Sequence, residues 1–199
     1  MLNAILILPK PLNYFIICSL ITIIASIGLP FLGNCMDKLV ALMMKGLTNV
    51  TNSKFAFFMI NRFTFIGTVL HELAHAFFAK IFGAKITKIS LFDFFKSDTL
   101  GHVEFVTRGG FIRRNLQLFF SSVAPVLVNT FFIFLLVINW VNINTWYFYI
   151  IFIYLILSLF IHASMSSQDL KLYRKGSIVA IPVIIILSTL VVWMFSPVI

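Results

Sequence analysis

Between Phe55 and Phe82 the chain runs mostly through Phe, Ile, Leu, Met, Val and Ala, and inside that run stands His71-Glu72-Leu73-Ala74-His75. An apolar run of about twenty residues is long enough to cross a bilayer as a helix. A carboxylate and two imidazoles at that depth cost on the order of several kcal/mol unless they are paired, hydrated or bound to something. On a helix, residues four apart share a face, so His71 and His75 can grip one metal ion together. Glu72, beside the first histidine, is placed to take a proton from a water on that ion. This is the pattern of a zinc hydrolase. The same five letters recur by chance on solvated helices, but an apolar run leaves little solvent to explain them, and metal binding is the expectation.

Of the 199 residues, 61% are hydrophobic and only 11% charged, against about a quarter charged in a soluble domain. The expected fold class is therefore all-α and polytopic, a single membrane-embedded domain over residues 1–199. The net charge of +9 sits on basic residues scattered at the ends of apolar segments. That placement suits topology signals and lipid-headgroup contacts, so the partner is the lipid bilayer and nucleic acid is not expected. Cys18 and Cys35 lack ligand spacing, and no disulfide is expected. The wealth of Phe, Ile and Asn suits an AT-rich bacterial genome and a bacterial cell membrane.

Five spans are expected, at about 12–33, 55–82, 116–139, 145–163 and 178–195. The first, a retained helix rather than a cleaved signal, should end near Pro30 and Gly33. A short helix lying on the membrane surface should follow within 34–54. The second span carries the metal motif and should stop at Gly83. Gly67, one turn before His71, opens the backbone to a substrate or to a close neighbouring helix. Lys85–Phe92 and His102–Arg108 read as a small membrane-associated β-hairpin with a long connection, turning through Ser97-Asp98-Thr99-Leu100-Gly101. His102 and Glu104 should share one face of its second strand. In the third span Ser121, Ser122 and Ala124 permit close helix approach, Pro125 removes one backbone hydrogen bond, and Asn129 offers a donor at depth. Ser164 to Asp169 is small and polar, poorly suited to a continuous membrane helix.

Ten of the fifteen Lys and Arg fall in 80–114 and 171–175, while the linker 139–145 carries none. The positive-inside rule then places both basic segments, the amino terminus and the motif's end of its helix towards the cytoplasm.

A catalytic zinc takes three protein ligands and keeps one position open. Beyond His71 and His75 the candidates are His102, Glu104, His162, Asp169, Asp93 and Asp98. Asp169 stands at the cytoplasmic end of the fourth span, at a depth matching the motif. It would otherwise cap a helix beginning at Leu170 or pair with Lys171. His162, about two turns earlier, is its main rival.

With these residues in place the chain resembles, over about 62–170, the site-2 protease family of intramembrane zinc metalloproteases, as a compact and divergent member. The resemblance rests on His71-Glu72-Leu73-Ala74-His75 in a span, Gly101-His102-Val103 in a following hairpin, Ala124-Pro125 with Asn129 in the next span, and Asp169 downstream. It implies that Asp169 completes the zinc site, and it assigns substrate contacts to Asn129, Gly101 and Val103. Two departures are visible. Leu170 follows Asp169 where the family has Gly, and three residues rather than two separate Pro125 from Asn129, which turns Asn129 by about 100° around a helix. No PDZ-like insertion is present.

The expected activity is zinc-dependent endopeptidase cleavage of a membrane-spanning or membrane-associated substrate, in regulated intramembrane proteolysis or clearance of signal-peptide remnants. Glu72 is its acid–base residue, and Zn2+ held by His71, His75 and Asp169 its cofactor. The alternative is a catalytically weak or inactive membrane subunit that holds a partner's transmembrane helix. A zinc transporter would need polar residues along several spans, which the other spans lack.

Overall fold

The computed structural model describes residues 10–48, 62–91, 101–140 and 145–196. They form helices α1 (Lys10–Thr48), α2 (Phe65–Ile81), α3 (Phe111–Asn139), α4 (Trp146–Ile161) and α5 (Ser167–Phe195), with strands β1 (Lys85–Ser90) and β2 (His102–Val106) between α2 and α3. The central helix is α3, which packs against α5, α2 and α4, while α1 leans mainly on α5.

The outside is apolar and the inside is partly polar, the reverse of a soluble domain. Ile24 and Phe31 on α1 are each 68% exposed and Phe195 on α5 is 82% exposed, whereas Gln117, Ser121, Ser122, Asn129 and Ser158 are fully buried. Apolar exteriors suit lipid, and small or hydroxylated side chains suit helix contacts within it. The backbones touch accordingly. A Cβ on Gly176 of α5 would stand 2.6 Å from the Phe119 nitrogen of α3, and one on Gly67 of α2 would collide with the Ser158 carbonyl of α4. Gly67 therefore serves the close helix neighbour. Around these contacts Phe119, Val123, Val126, Met165, Tyr173 and Ala180 form the apolar core.

Among the described residues three helices are long and apolar enough to cross a membrane: Lys10–Val40, Phe111–Asn139 and Ser167–Phe195. Trp146–Ile161 is apolar but shorter, and α2 has 17 residues. The expected start of the second span, 55–61, lies outside the described residues, as do the strand end at 92, Asp93, the turn from Ser97 to Leu100, the linker core at 141–144 and the end of the presumed surface helix at 49–54.

Two boundaries differ from expectation for physical reasons. The first helix does not stop at Pro30 or Gly33 to begin a separate surface helix; α1 is continuous from Lys10 to Thr48. Proline at 30 has no N–H, so the Ser26 carbonyl four residues back loses its helical donor. That carbonyl is taken instead by the Tyr173 hydroxyl of α5, at 2.6 Å. The last helix starts at Ser167 rather than near 178, because Ser166 and Asp169 form a capping box that satisfies its first N–H groups.

Tyr173→Phe should leave the Ser26 carbonyl bare in a dry contact and cost about 1–3 kcal/mol. A lowered unfolding midpoint in detergent would show it, and Pro30→Ala in the same chain should recover part of the loss by returning an N–H to that carbonyl. Equal stability of the single variant and the wild type would refute this account of α1.

The hairpin is present as expected, β1 and β2 pairing antiparallel from Lys85↔Val106 to Ser90↔His102 with an irregularity between Ile86 and Lys88. Its entry is set by Gly83, whose φ of +86° suits the residue after a helix end. Gln117 of α3 closes its base. The Gln117 amide donates 2.9 Å bonds to the carbonyls of Phe82 and Arg108 and accepts one from the Arg108 N–H. The strands are thereby fastened over the end of α2. Cys18 and Cys35 are both unpaired, as expected.

Candidate metal centre

His71 and His75, one turn apart on α2, bring their Nε2 atoms to 3.1 Å. Each ring is held from behind. His71 Nδ1 donates to the His162 carbonyl at 2.8 Å, and His75 Nδ1 donates to the Ser121 carbonyl at 2.7 Å. A carbonyl can only accept, so both Nδ1 atoms must carry protons. In the neutral rings both Nε2 atoms are then bare lone pairs. Two such lone pairs cannot hydrogen-bond to each other. A proton on one of them, shared with the other or with Asp169, or a metal ion between them resolves the contact.

Asp169 brings the third acceptor. It is the third residue of α5, and its Oδ2 accepts from the Ser166 N–H at 2.9 Å and the Ser166 hydroxyl at 2.6 Å. Its Oδ1 stands 3.3 Å from His75 Nε2, and Oδ2 lies 3.9 Å from His71 Nε2. Zinc bonds of about 2.0–2.2 Å in a tetrahedron put neighbouring ligand atoms about 3.3–3.6 Å apart. With one ligand atom taken from each residue the three lie within 4.8 Å of one another, wider than a closed zinc site, so the side chains would draw together on an ion. The donor set of two imidazoles and a carboxylate suits zinc. The residues fit the ion.

Asp169 does not itself cap a helix beginning at Leu170: the N-cap is Ser166, the helix begins at Ser167, and Asp169 answers the cap from its third position. The carboxylate ties its own helix start with one oxygen and offers the other to the cluster. Its rivals point elsewhere. His162 presents its side chain to the hydroxyls of Thr64 and Thr68, at 2.9 and 3.2 Å, and contributes to the centre only through its carbonyl. His102 lies 3.7 Å from Glu104 Oε1, sharing a strand face with it as expected, and is not one of the three converging ligands. Asp93 and Asp98 are outside the described residues.

On its open side the cluster faces a cavity of about 880 Å³, lined by His71, Glu72, His75 and Asp169, by β2 and its flanks from Gly101 to Thr107, and by Leu118, Ser166, Ser167, Gln168 and Leu172. Glu72 lines it beside Gly101 and Val103 of the β2 edge. Gly101 makes this approach possible, since a Cβ there would stand 2.9 Å from Glu72 Cγ and 3.0 Å from the Ser90 carbonyl. Gly101 and Val103, expected as substrate contacts, thus line the cavity, and Gly101 also leaves room for Glu72.

Asn129 does not line this cavity. It is fully buried, and its Nδ2 donates to the His162 carbonyl at 2.8 Å, beside His71 Nδ1. It shares the His162 carbonyl with His71 Nδ1, and so stands behind the ring of His71 and away from the cavity where a substrate contact was expected. Sequence reasoning missed three supports: the carbonyls of Ser121 and His162, and Ser166. Ser166 carried a readable signal, a Ser three residues before an acid at the head of an apolar run, and Pro125 marks the Ser121 carbonyl as one without its helical donor.

Fold and site together define a helical bundle with an apolar exterior, carrying a His-His-Asp cluster beside a glutamate. Comparison of the chain with protein-family models, with curated proteins and with solved structures gives no match in any of the three.

Proposed function

We propose that this chain is an intramembrane zinc metalloprotease, a compact relative of the site-2 proteases, which hydrolyses a peptide bond of a membrane-spanning or membrane-associated substrate. The observation that carries the reading is the convergence of His71 Nε2, His75 Nε2 and an Asp169 oxygen, with both ring tautomers fixed, beside a glutamate in a cavity. A bound zinc supplies Lewis acidity and lowers the pKa of water to about 7. The chain's own residues do the rest. His71, His75 and Asp169 hold the ion, and Glu72 takes a proton and returns it to the leaving amine. Gly101, where a Cβ would stand 2.9 Å from Glu72 Cγ, leaves the Glu72 side chain its room beside β2.

A helical substrate hides its carbonyls in its own hydrogen bonds and must unwind locally before attack. β2 pairs with β1 on one edge and lines the cavity, which suits an unwound segment added as a further strand. The chain crosses a bacterial cell membrane five times, α2 and α4 completing the count. Its basic segments, and with them the metal centre, lie towards the cytoplasm.

Zinc content of the detergent-purified protein tests this first. About one zinc per chain is expected, and His75→Ala should lose it, because a lone imidazole and a carboxylate cannot close a tetrahedral site. A wild-type chain that stays empty when supplied with zinc would overturn the protease reading. It would favour a membrane subunit that holds a partner's helix without turnover.

A further inference from the structure

Both metal-binding rings are anchored on backbone carbonyls, and a carbonyl inside an intact helix already accepts the N–H four residues ahead. The His162 carbonyl is available because α4 has ended: Ile161 is its last residue and His162 its cap. The Ser121 carbonyl has no such excuse. It lies in the middle of α3, which runs unbroken from Phe111 to Asn139, and is fully buried. Its helical donor would be the N–H of residue 125. That residue is Pro125, which has none.

We propose that Pro125 is a positioning residue of the metal centre: by lacking an N–H it releases the Ser121 carbonyl to His75 Nδ1, and so fixes the ring that presents Nε2 to the metal. The release has to be matched by a donor from elsewhere, since a bare carbonyl in a dry helix contact is costly. His75 supplies it at 2.7 Å. The same pair is joined a second time, the Ser121 hydroxyl donating to the His75 carbonyl at 3.3 Å. Small residues permit the approach, with Ala79 of α2 and Ala124 of α3 both fully buried. The chain uses the same device at Pro30, whose released Ser26 carbonyl goes to Tyr173. In α1 the freed acceptor fastens two helices. In α3 it fastens two helices and also aims a ligand.

A carbonyl bonded to the far nitrogen of a metal-binding histidine fixes its tautomer and raises its basicity, and losing such a partner costs about 10- to 100-fold in metal affinity. The inference rests on the metal reading for that consequence, but not for the bond itself. Pro125→Ala returns an N–H that competes for the Ser121 carbonyl, so zinc affinity of the full chain in detergent should fall about 10- to 100-fold. Replacing Pro125 by lactic acid, the α-hydroxy counterpart of alanine, puts an ester oxygen where the N–H would be. That chain should bind zinc as the wild type does. Pro30→Ala, the same change in α1, should leave zinc binding untouched.

In the metal-free protein, NMR of ring-labelled histidine reads the bond directly. His75 Nδ1 should carry a proton protected from exchange in the wild type and the lactate chain, and lose that protection in Pro125→Ala. Wild-type zinc affinity and a protected proton in Pro125→Ala would overturn the proposal. So would a lactate chain as weak as the alanine one, since the ring's shape and not its missing N–H would then matter. If the wild type takes up no zinc, the metal reading fails, and proton protection still decides the role of Pro125.

Discussion

Replacing Glu72 by Gln is expected to stop cleavage of a co-expressed single-span substrate while the purified chain still carries about one zinc. Positioned acid–base residues contribute about 10²- to 10⁴-fold to rate, and a loss in that range is the expected outcome. The substitution is a narrow one. Glutamine keeps the size and polarity of the side chain, which stays in the cavity beside β2. It has the same length and meets Gly101 in the same way. What it loses is the capacity to take up a proton and hand it on. Because Glu72 is not among the three converging ligands, zinc should remain. Undiminished cleavage would sink the mechanism. Loss of zinc together with cleavage would show that Glu72 acts on the metal site's structure instead.

How much of this was readable in advance depends on whether a letter of the sequence carries the information. His71, Glu72 and His75 were legible because a helix fixes residues four apart on one face. The membrane made their polarity expensive enough to demand a reason. Asp169 was legible as one of few remaining carboxylates at the right depth, though not as a residue that divides its carboxylate between a capping box and the two imidazoles. The choice between Asp169 and His162 turned on where α4 ends. The break after Ile161 turns the His162 ring to Thr64 and Thr68, which no periodicity argument contains. The supports of the rings are carbonyls, which every residue has, and only the one at Ser121 is marked by a letter, Pro125 four residues on. The same holds for α1. Pro30 reads locally as a stop, and the residue that makes it tolerable, Tyr173, is 147 positions away from Ser26. Asn129 shows the effect of register: one residue more than the family spacing accompanies a side chain turned to the His162 carbonyl and not to the cavity.

Asp169→Ala is expected to empty the metal site, with a loss of affinity beyond the about 10- to 100-fold that a supporting partner costs. What remains would be two neutral imidazole lone pairs 3.1 Å apart with no anionic ligand. The change also removes half of a capping box, so a drop in zinc could be blamed on a frayed start of α5. Ser166→Ala separates the two effects. It takes away the Ser166 hydroxyl that bonds Asp169 Oδ2 and should cost about 1 kcal/mol of stability as a lost helix cap. The Asp169 carboxylate stays, and zinc should stay with it. If Ser166→Ala loses zinc as fully as Asp169→Ala does, the carboxylate matters chiefly as a cap. If Asp169→Ala keeps zinc while His75→Ala loses it, the third ligand lies elsewhere, and His102 on the cavity wall is the next to test. The geometry favours the carboxylate because an ionised aspartate has two oxygens with about four acceptor positions. Ser166 occupies two of them on Oδ2, while Oδ1 faces His75 Nε2 at 3.3 Å. The carboxylate thus ties the start of its helix through Oδ2 and leaves Oδ1 towards His75, the arrangement these three variants put to the test.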